Sequence, residues 1–144
     1  MMNLGRPSEY PRILLVEDMD DHAAMVARAA PGVAWDRARN EREARRKILH
    51  AVNRRTDPYD AVFLDYDLNG VTGGGGEKVA ALLIHTSYDG LVVVHSGNPM
   101  GGPYMVNLFA QHGYDSVYAP KFWNTSPDVW HAAVEHLRRN MRVA

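Results

Sequence analysis

Residues 61–65 read Ala-Val-Phe-Leu-Asp, four apolar residues in a row followed by a carboxylate. A strand with one solvated face would carry a polar residue at every second position, so an unbroken apolar run predicts a strand covered on both faces. Residues 91–94, Leu-Val-Val-Val, have the same character. Both runs are therefore predicted to be central strands of a parallel sheet that helices cover on each side.

The chain on either side of these runs alternates short strand-like segments with segments of helical periodicity. Apolar and β-branched residues predict three further strands, at residues 12–16, 33–37 and 116–119. Capping residues and helical spacing predict helices that begin near Asp20, Asn40, Glu77, Pro103 and Ser126. Five successive βα units predict an α/β fold, a three-layer doubly wound (βα)5 domain around a five-stranded parallel sheet.

Two helix boundaries carry specific signals. Asn40 is followed three residues later by Glu43, which is the pattern of a capping box at the start of the second helix. Gly113 follows the fourth helix at the position where a residue with left-handed backbone is favoured.

Length and composition indicate one globular domain. The chain has 144 residues, of which 46% are hydrophobic, and this is enough for a single core. The domain is expected to span residues 12–144, behind an N-terminal extension of residues 1–11. The 16 basic residues nearly balance the 17 acidic ones, so the overall charge excludes a broad electrostatic footprint for nucleic acid or an anionic membrane.

Compartment signals point to the cytoplasm. Residues 1–11 are polar, contain two prolines and lack the apolar stretch of a secretory signal, and no later run reaches membrane-spanning length. The absence of cysteine excludes disulfides and thiolate metal sites, and it is compatible with a reducing compartment. We therefore expect a cytoplasmic protein.

Polar side chains follow four of the predicted strands directly: Glu17-Asp18, Asp65-Tyr66-Asp67, His95-Ser96 and Pro120-Lys121. Ligand sites of open α/β sheets form outside the carboxyl ends of the strands. Carboxylates crowded there raise each other's proton affinity unless a cation lies between them, and all-oxygen donors suit Mg²⁺ or Mn²⁺. Each residue alone is more commonly a cap or part of a solvated turn, but their joint placement predicts a divalent metal site of Glu17, Asp18 and Asp65.

These motifs resemble the receiver domain of two-component response regulators. Residues 13–18, Ile-Leu-Leu-Val-Glu-Asp, are similar to that family's first strand with its acidic pair, and Phe63-Leu64-Asp65 is similar to its third strand with the phosphoacceptor. Ser96 falls where the family keeps a hydroxyl residue. The resemblance implies a CheY-like, flavodoxin-like sheet with the strand order 2-1-3-4-5.

The resemblance also implies roles for individual residues. Asp18 and Asp65 would ligate Mg²⁺ or Mn²⁺ directly, Glu17 would act largely through bound water, and the backbone carbonyl of Asp67 would supply another oxygen. Asp65 would accept a phosphoryl group from a histidine kinase or phosphotransfer protein in a phosphorelay. Ser96 would hydrogen-bond the phosphorylated product and transmit the signal. No DNA-binding output domain is expected, so a signalling protein would act through contacts on the fourth helix, fifth strand and fifth helix.

The end of the fifth strand departs from the family pattern. Residues 119–122 read Ala-Pro-Lys-Phe, which reverses the family's order of lysine and proline. Alignment on the lysine gives Lys121 the salt-bridge role and puts Tyr118 at the switch aromatic position, whereas alignment on the proline leaves Ala119 in the lysine's place. We favour Lys121, and the alternative is a solvated surface lysine. The loop after Asp65 also lacks the family's proline and runs through the glycines 73–76, either as a phosphate cradle or as a connector.

The end of the fourth strand supports a different function on the same scaffold. Residues 94–99, Val-His-Ser-Gly-Asn-Pro, resemble a divergent receiver-like group that processes cyclic-phosphate ends in RNA repair. His95 would then protonate a leaving oxygen, with RNA or a cyclic phosphate as substrate. Because neighbours along a strand face opposite ways, His95 would otherwise point into the core. A degenerate receiver that acts only as a protein-binding module is the second alternative.

Overall fold

Parallel strands alternate with helices along the described part of the chain, residues 11–29, 32–54, 58–68 and 74–119 of this computed structural model. The elements are β1 Arg12–Val16, α1 Asp20–Ala29, β2 Ala34–Ala38, α2 Glu41–Arg54, β3 Ala61–Leu64, α3 Gly76–His85, β4 Leu91–Val94, α4 Gly101–Gln111 and β5 Ser116–Tyr118. The predicted fifth helix and Lys121 lie outside the described residues, as does nearly all of the predicted N-terminal extension.

The five strands form one parallel sheet in the order β2-β1-β3-β4-β5, which confirms the predicted fold. Val16 pairs with Leu64, and Leu64 pairs with Val94, so β1, β3 and β4 end at the same level. The amide of Asp65 donates to the Val16 carbonyl at 3.2 Å, and the amide of His95 donates to the Leu64 carbonyl at 3.1 Å. The residues that follow these three strands therefore lie side by side.

Burial follows the apolar pattern of the strands. All four residues of β3 are buried, and so are the last three of β4, as predicted for central strands. β2 lies at the edge of the sheet and buries only its last residue, Ala38. The strand prediction succeeds here because a run that is apolar at every position can be stable in water only when both faces are covered.

Helices cover both faces of the sheet, which gives three layers. On one face, Leu14, Leu64 and Val94 pack in a core cluster with residues of α2, α3 and α4. On the other face, Phe63 and its neighbours pack against Val26 and other residues of α1. Among the described ranges, no helix has both the length and the apolarity needed to cross a bilayer.

The helix ends agree with the capping signals, with one exception. The Asn40 side chain accepts from the Glu43 amide at 2.9 Å, and Glu43 accepts in turn from the Arg39 amide at 3.0 Å. Gly113, after α4, has the predicted left-handed backbone with a φ of 80°. α4, however, begins at Gly101 and not at Pro103. The earlier start arises from Asn98, whose contacts are described below.

Candidate metal centre

Three predicted carboxylates meet at the carboxyl end of the sheet. Glu17 and Asp18 follow β1, Asp65 follows β3, and one oxygen from each lies within 4.8 Å of the other two. The level ends of the paired strands bring these residues together. In the described part of the chain they form an acidic pocket of Glu17, Asp18 and Asp65.

Burial gives two of these carboxylates unusual proton affinities. Glu17 is fully buried, and burial, followed by the nearby charge of Asp65, raises the pKa of Glu17 to about 8. Asp65 is 8% exposed, and burial raises its pKa to about 6, while a hydrogen bond from Ser96 acts in the opposite direction. Without a cation, Glu17 therefore carries a proton at neutral pH while Asp65 is largely ionised.

The acidic pocket fits a divalent cation. The Oε2 atom of Glu17 accepts from the Met19 amide at 3.1 Å, whereas its buried Oε1 atom accepts no hydrogen bond from the described residues. A cation bound there would give this oxygen a partner and would offset the repulsion from Asp65 that otherwise keeps Glu17 protonated. The donors are hard carboxylate oxygens, which suit Mg²⁺ or Mn²⁺.

Asp67 lies at the point where the loop after β3 returns to the sheet. It forms an isolated antiparallel bridge with Gly75, through hydrogen bonds from the Leu68 amide to the Gly74 carbonyl (2.8 Å) and from the Gly76 amide to the Tyr66 carbonyl (2.9 Å). These two bonds leave the Asp67 carbonyl outside the bridge, so its predicted metal-ligand role stays a prediction. The Asp67 amide faces the Oδ1 atom of Asp65 at 3.4 Å.

The structure requires glycine at the described glycine positions of this loop. A Cβ atom at Gly76 would lie 2.2 Å from the Asp65 carbonyl oxygen, closer than atoms can approach. Gly74 and Gly75 have φ angles of 75° and 102°, in the region that favours glycine. These residues therefore let α3 begin directly against the backbone of the predicted phosphoacceptor.

His95 reaches the acidic pocket from the protein interior. It is 1% exposed, its Nδ1 atom lies 3.8 Å from the Oε1 atom of Glu17, and burial lowers its pKa to about 4. His22, on α1, approaches the same oxygen at 3.7 Å. His95 is therefore a buried imidazole that is neutral at pH 7, and its predicted catalytic role stays a prediction.

Ser96 follows β4 and lies beside the acidic pocket, whereas Tyr118 lies on β5 at the edge of the sheet. Ser96 is fully buried and hydrogen-bonds to Asp65. Tyr118, on β5, places its ring against α4, where a Cβ atom at Gly102 would lie 2.9 Å from the ring. Lys121 lies outside the described residues, so its predicted salt bridge stays a prediction.

Asn98 is a site residue that the sequence interpretation missed. Its side-chain Nδ2 atom donates to the Asp67 carboxylate at 3.2 Å, and its Oδ1 atom accepts from the amides of Met100 and Gly101 at 2.9 and 2.8 Å. The signal was present in the dipeptide Asn98-Pro99, because asparagine is a favoured N-cap and proline is favoured at the first helical position. Recognising it would have indicated a helical start ahead of Pro103, at Pro99, where the chain makes a turn before α4 begins at Gly101.

Comparison with known proteins gives a match at the level of structure only. No family model matches the chain, and no curated protein matches it in sequence. A signal receiver domain of a putative Luxo repressor protein from Vibrio parahaemolyticus is 18% identical, with a TM-score of 0.64 and coverage of 92% of each chain. A signal receiver domain of an HD domain-containing protein from Pseudomonas fluorescens is 17% identical, with a TM-score of 0.65 and coverage of 91% of this chain and 99% of that chain.

A third solved structure has the same degree of likeness. The receiver domain of the histidine kinase CKI1 from Arabidopsis thaliana, complexed with Mg²⁺ and BeF₃⁻, is 18% identical, with a TM-score of 0.65 and coverage of 88% of this chain and 90% of that chain. Strand order, layer arrangement and these likenesses agree: the chain has the CheY-like fold of response-regulator receiver domains.

Proposed function

We propose that this chain is a receiver-like domain that accepts a phosphoryl group on Asp65, with Mg²⁺ or Mn²⁺, in phosphorelay signalling. The observation that carries the proposal is the convergence of Glu17, Asp18 and Asp65 at the carboxyl end of a receiver-type sheet. The CKI1 receiver domain, which has the same fold, was solved with Mg²⁺ and BeF₃⁻. A bound divalent cation would supply positive charge that offsets both the carboxylates and the oxygens of an incoming phosphoryl group.

The residues of the chain have distinct tasks in this reaction. With a pKa of about 6, Asp65 is largely ionised at pH 7, so one of its oxygens can attack the phosphorus of a donor. The new oxygen–phosphorus bond forms as the bond from phosphorus to the donor breaks, and the donor leaves with that electron pair. The product is an acyl phosphate. Ser96, which hydrogen-bonds to Asp65, is in a position to donate to the product.

A phosphodonor experiment tests the proposal. The protein is incubated with acetyl phosphate or phosphoramidate and Mg²⁺, and its intact mass is measured. We expect the gain of one phosphoryl group, which disappears in Asp65→Asn and when EDTA replaces Mg²⁺. Asp115→Asn, at an exposed position before β5, is the matched control and should be phosphorylated like the unmodified protein. A protein that binds Mg²⁺ but gains no mass would overturn the proposal.

The same experiment separates the alternatives. Turnover of a 2′,3′-cyclic phosphate without an adduct on Asp65 would assign the cyclic-phosphate function. Neither reaction, together with no binding of Mg²⁺, would assign a degenerate module that acts only by binding a protein. We favour phosphoryl acceptance because burial lowers the pKa of His95 to about 4, so at pH 7 its imidazole is not the charged acid that the cyclic-phosphate mechanism needs to protonate a leaving oxygen.

A histidine kinase or phosphotransfer protein is the proposed partner, because proteins of that class supply the phosphoryl group in a phosphorelay. Tyr104 on α4 and Tyr118 on β5 are 54% and 39% exposed and offer large, partly apolar side chains to a partner. Tyrosine is enriched in protein interfaces because it combines a large apolar area with a polar tip. We propose that this side of the domain contacts the downstream partner.

A further inference from the structure

Asn98 holds three parts of the molecule at once. Its backbone amide donates to the Ser96 hydroxyl at 3.0 Å. Its side-chain Nδ2 atom donates to both oxygens of the Asp67 carboxylate, at 3.2 and 3.4 Å. Its Oδ1 atom accepts from the amides of Met100 and Gly101. One side chain thus joins the loop after β3 to the first turn of α4.

The amide group of Asn98 makes these contacts interdependent. Nδ2 and Oδ1 belong to one planar group, so a movement of Asp67 that displaces Nδ2 also displaces Oδ1. Oδ1 satisfies two amides at the helix start that have no partner within the helix. The order of the first turn of α4 therefore depends on where Asp67 lies.

A second contact runs along the same path. A Cβ atom at Gly101 would lie 2.2 Å from Cγ of Tyr66, so the tyrosine ring rests directly on the helix backbone. Tyr66 and Asp67 are the two residues that follow Asp65. Tyr66 therefore contacts the start of α4 directly, and Asp67 is joined to it through Asn98.

The path also reaches Asp65 itself. The Asp67 amide faces the Oδ1 atom of Asp65 at 3.4 Å, and the charge of Asp67 is one of the factors that raise the pKa of Asp65. A change in charge at Asp65 therefore acts on Asp67 through both its backbone and its carboxylate.

We propose that Asn98 couples the charge of the acidic pocket to the first turn of α4, so that loading the pocket orders this turn. Asn98 is a positioning residue in this role, because it acts through Asp67. For a phosphoryl group or cation as the input, the inference rests on the proposed function. Coupling free energies are reciprocal, so a partner that orders α4 would raise the affinity of the pocket for its ligand.

The test uses an exchange of the two side chains. Asn98→Asp keeps an acceptor for the Met100 and Gly101 amides, but it puts an oxygen opposite the Asp67 carboxylate in place of the donor. Adding Asp67→Asn restores one donor and one acceptor in the reverse direction. The exchanged pair is therefore the matched control, with the same composition of side chains as the unmodified protein.

The readout is amide hydrogen exchange at residues 100–105, of which all but Pro103 carry an amide hydrogen, measured by NMR with and without Mg²⁺ and beryllium fluoride, a mimic of a phosphoryl group. We expect loading to slow exchange in this turn several-fold in the unmodified protein. Asn98→Asp should abolish this response, and the exchanged pair should restore it. If Asn98→Asp binds Mg²⁺ and responds like the unmodified protein, the coupling is refuted while the proposed function stands.

A second arm needs neither metal nor phosphoryl group. Asp65→Asn removes a charge from the pocket without any ligand, and we expect it to alter exchange at residues 100–105 only when Asn98 is present. The same response in the Asn98→Asp background, or no response in either, would overturn the coupling. If the unmodified protein does not bind Mg²⁺, the proposed function is overturned. The coupling is then tested by the Asp65→Asn comparison alone.

Discussion

Burial and a hydrogen bond act on Asp65 in opposite directions. Burial raises its pKa to about 6, and the hydrogen bond from Ser96 opposes the rise because a donor favours the charged carboxylate. The same residue must be ionised to attack phosphorus and must also remain in the closely packed end of the sheet. The hydrogen bond from Ser96 therefore helps Asp65 to stay ionised although it is buried.

Ser96→Ala should therefore raise the pKa of Asp65 further. Removing this donor leaves burial opposed only by the backbone hydrogen bonds from Asp67 and Tyr66, so the ionised fraction of Asp65 at pH 7 falls. A carbon-13 NMR titration of the aspartate carboxyl groups measures the change, and Ser87→Ala, in the exposed turn after α3, is the control. A lower or unchanged pKa of Asp65 in Ser96→Ala would contradict this account of the site.

The meeting of Glu17, Asp18 and Asp65 was predictable from sequence, because strand ends in a parallel sheet share one edge. The complete burial of Glu17 was not. It depends on residues from other elements, among them His22 on α1 and His95 after β4. Periodicity places a residue on an element, but it does not tell how closely neighbouring elements cover it.

At the scale of elements, the sequence predicted strands better than helix starts. β1, β3 and β4 have their predicted bounds because an unbroken apolar run has clear ends. The start of α4 was placed two residues late because residues 97–102 contain three glycines and a proline, which conceal the helical pattern. The capping asparagine settles the start through hydrogen bonds that apolar periodicity does not contain.

Gly101→Ala should destabilise the protein although alanine normally favours a helix. The added Cβ atom would meet Cγ of Tyr66 at 2.2 Å, and overpacking of this kind costs about 1 to 3 kcal/mol. Gly102→Ala is the matched control, since its Cβ atom meets only the far end of the Tyr118 ring, at 2.9 Å. Urea unfolding compares the two variants, and equal stabilities would show that Tyr66 is free to move away.

The polar edge strand β2 is held by a separate network. Asp36 accepts from Lys47 Nζ at 2.6 Å and from the Tyr59 hydroxyl at 2.5 Å, while Arg12 lies 4.2 Å from the centre of the Tyr59 ring. Burial alone would raise the pKa of Asp36, but the hydrogen bonds from Lys47 and Tyr59 outweigh it and lower the pKa. The network attaches a strand that has little apolar surface of its own.

Tyr59→Phe should lower the free energy of unfolding by about 1.5 to 3 kcal/mol, the usual value of a hydrogen bond to a charged group. The ring and its packing remain, so the change reports the hydroxyl alone. Tyr104→Phe, at a position that is 54% exposed, is the control and should have little effect. If Tyr104→Phe loses as much stability as Tyr59→Phe, the hydrogen bond from Tyr59 to Asp36 does not contribute to stability as proposed.

For the molecule as a whole, the raised pKa values predict how stability depends on pH. In the absence of a divalent cation, folding raises the pKa of Glu17 from 4.5 to about 8, so the folded state binds more protons than the unfolded state in that range. Stability then falls as pH rises. The raised pKa of Asp65 likewise makes stability fall as pH rises, up to about pH 6. His95, whose pKa falls from 6.5 to about 4 on folding, makes stability rise with pH below pH 6.5.

Between pH 6.5 and 8, the dependence of stability on pH therefore comes mainly from Glu17. We expect the free energy of unfolding in EDTA to fall by about 1 to 2 kcal/mol across this interval, since one pKa unit corresponds to about 1.4 kcal/mol. Glu17→Gln should flatten this slope. Mg²⁺ should stabilise the protein more at pH 8 than at pH 6.5, because fewer protons then compete for the carboxylates. If the free energy of unfolding in EDTA instead rises with pH, burial does not raise the pKa of Glu17.

The level ends of β1, β3 and β4 also have a consequence for how such a protein can evolve. Successive side chains of a strand face opposite ways, so a deletion of one residue within β3 would turn every later side chain to the other face and carry Asp65 away from Glu17. Exchange of one apolar residue for another of similar size would leave the alignment intact. Selection on this site would thus tolerate drift in the composition of β3 while holding its number of residues fixed.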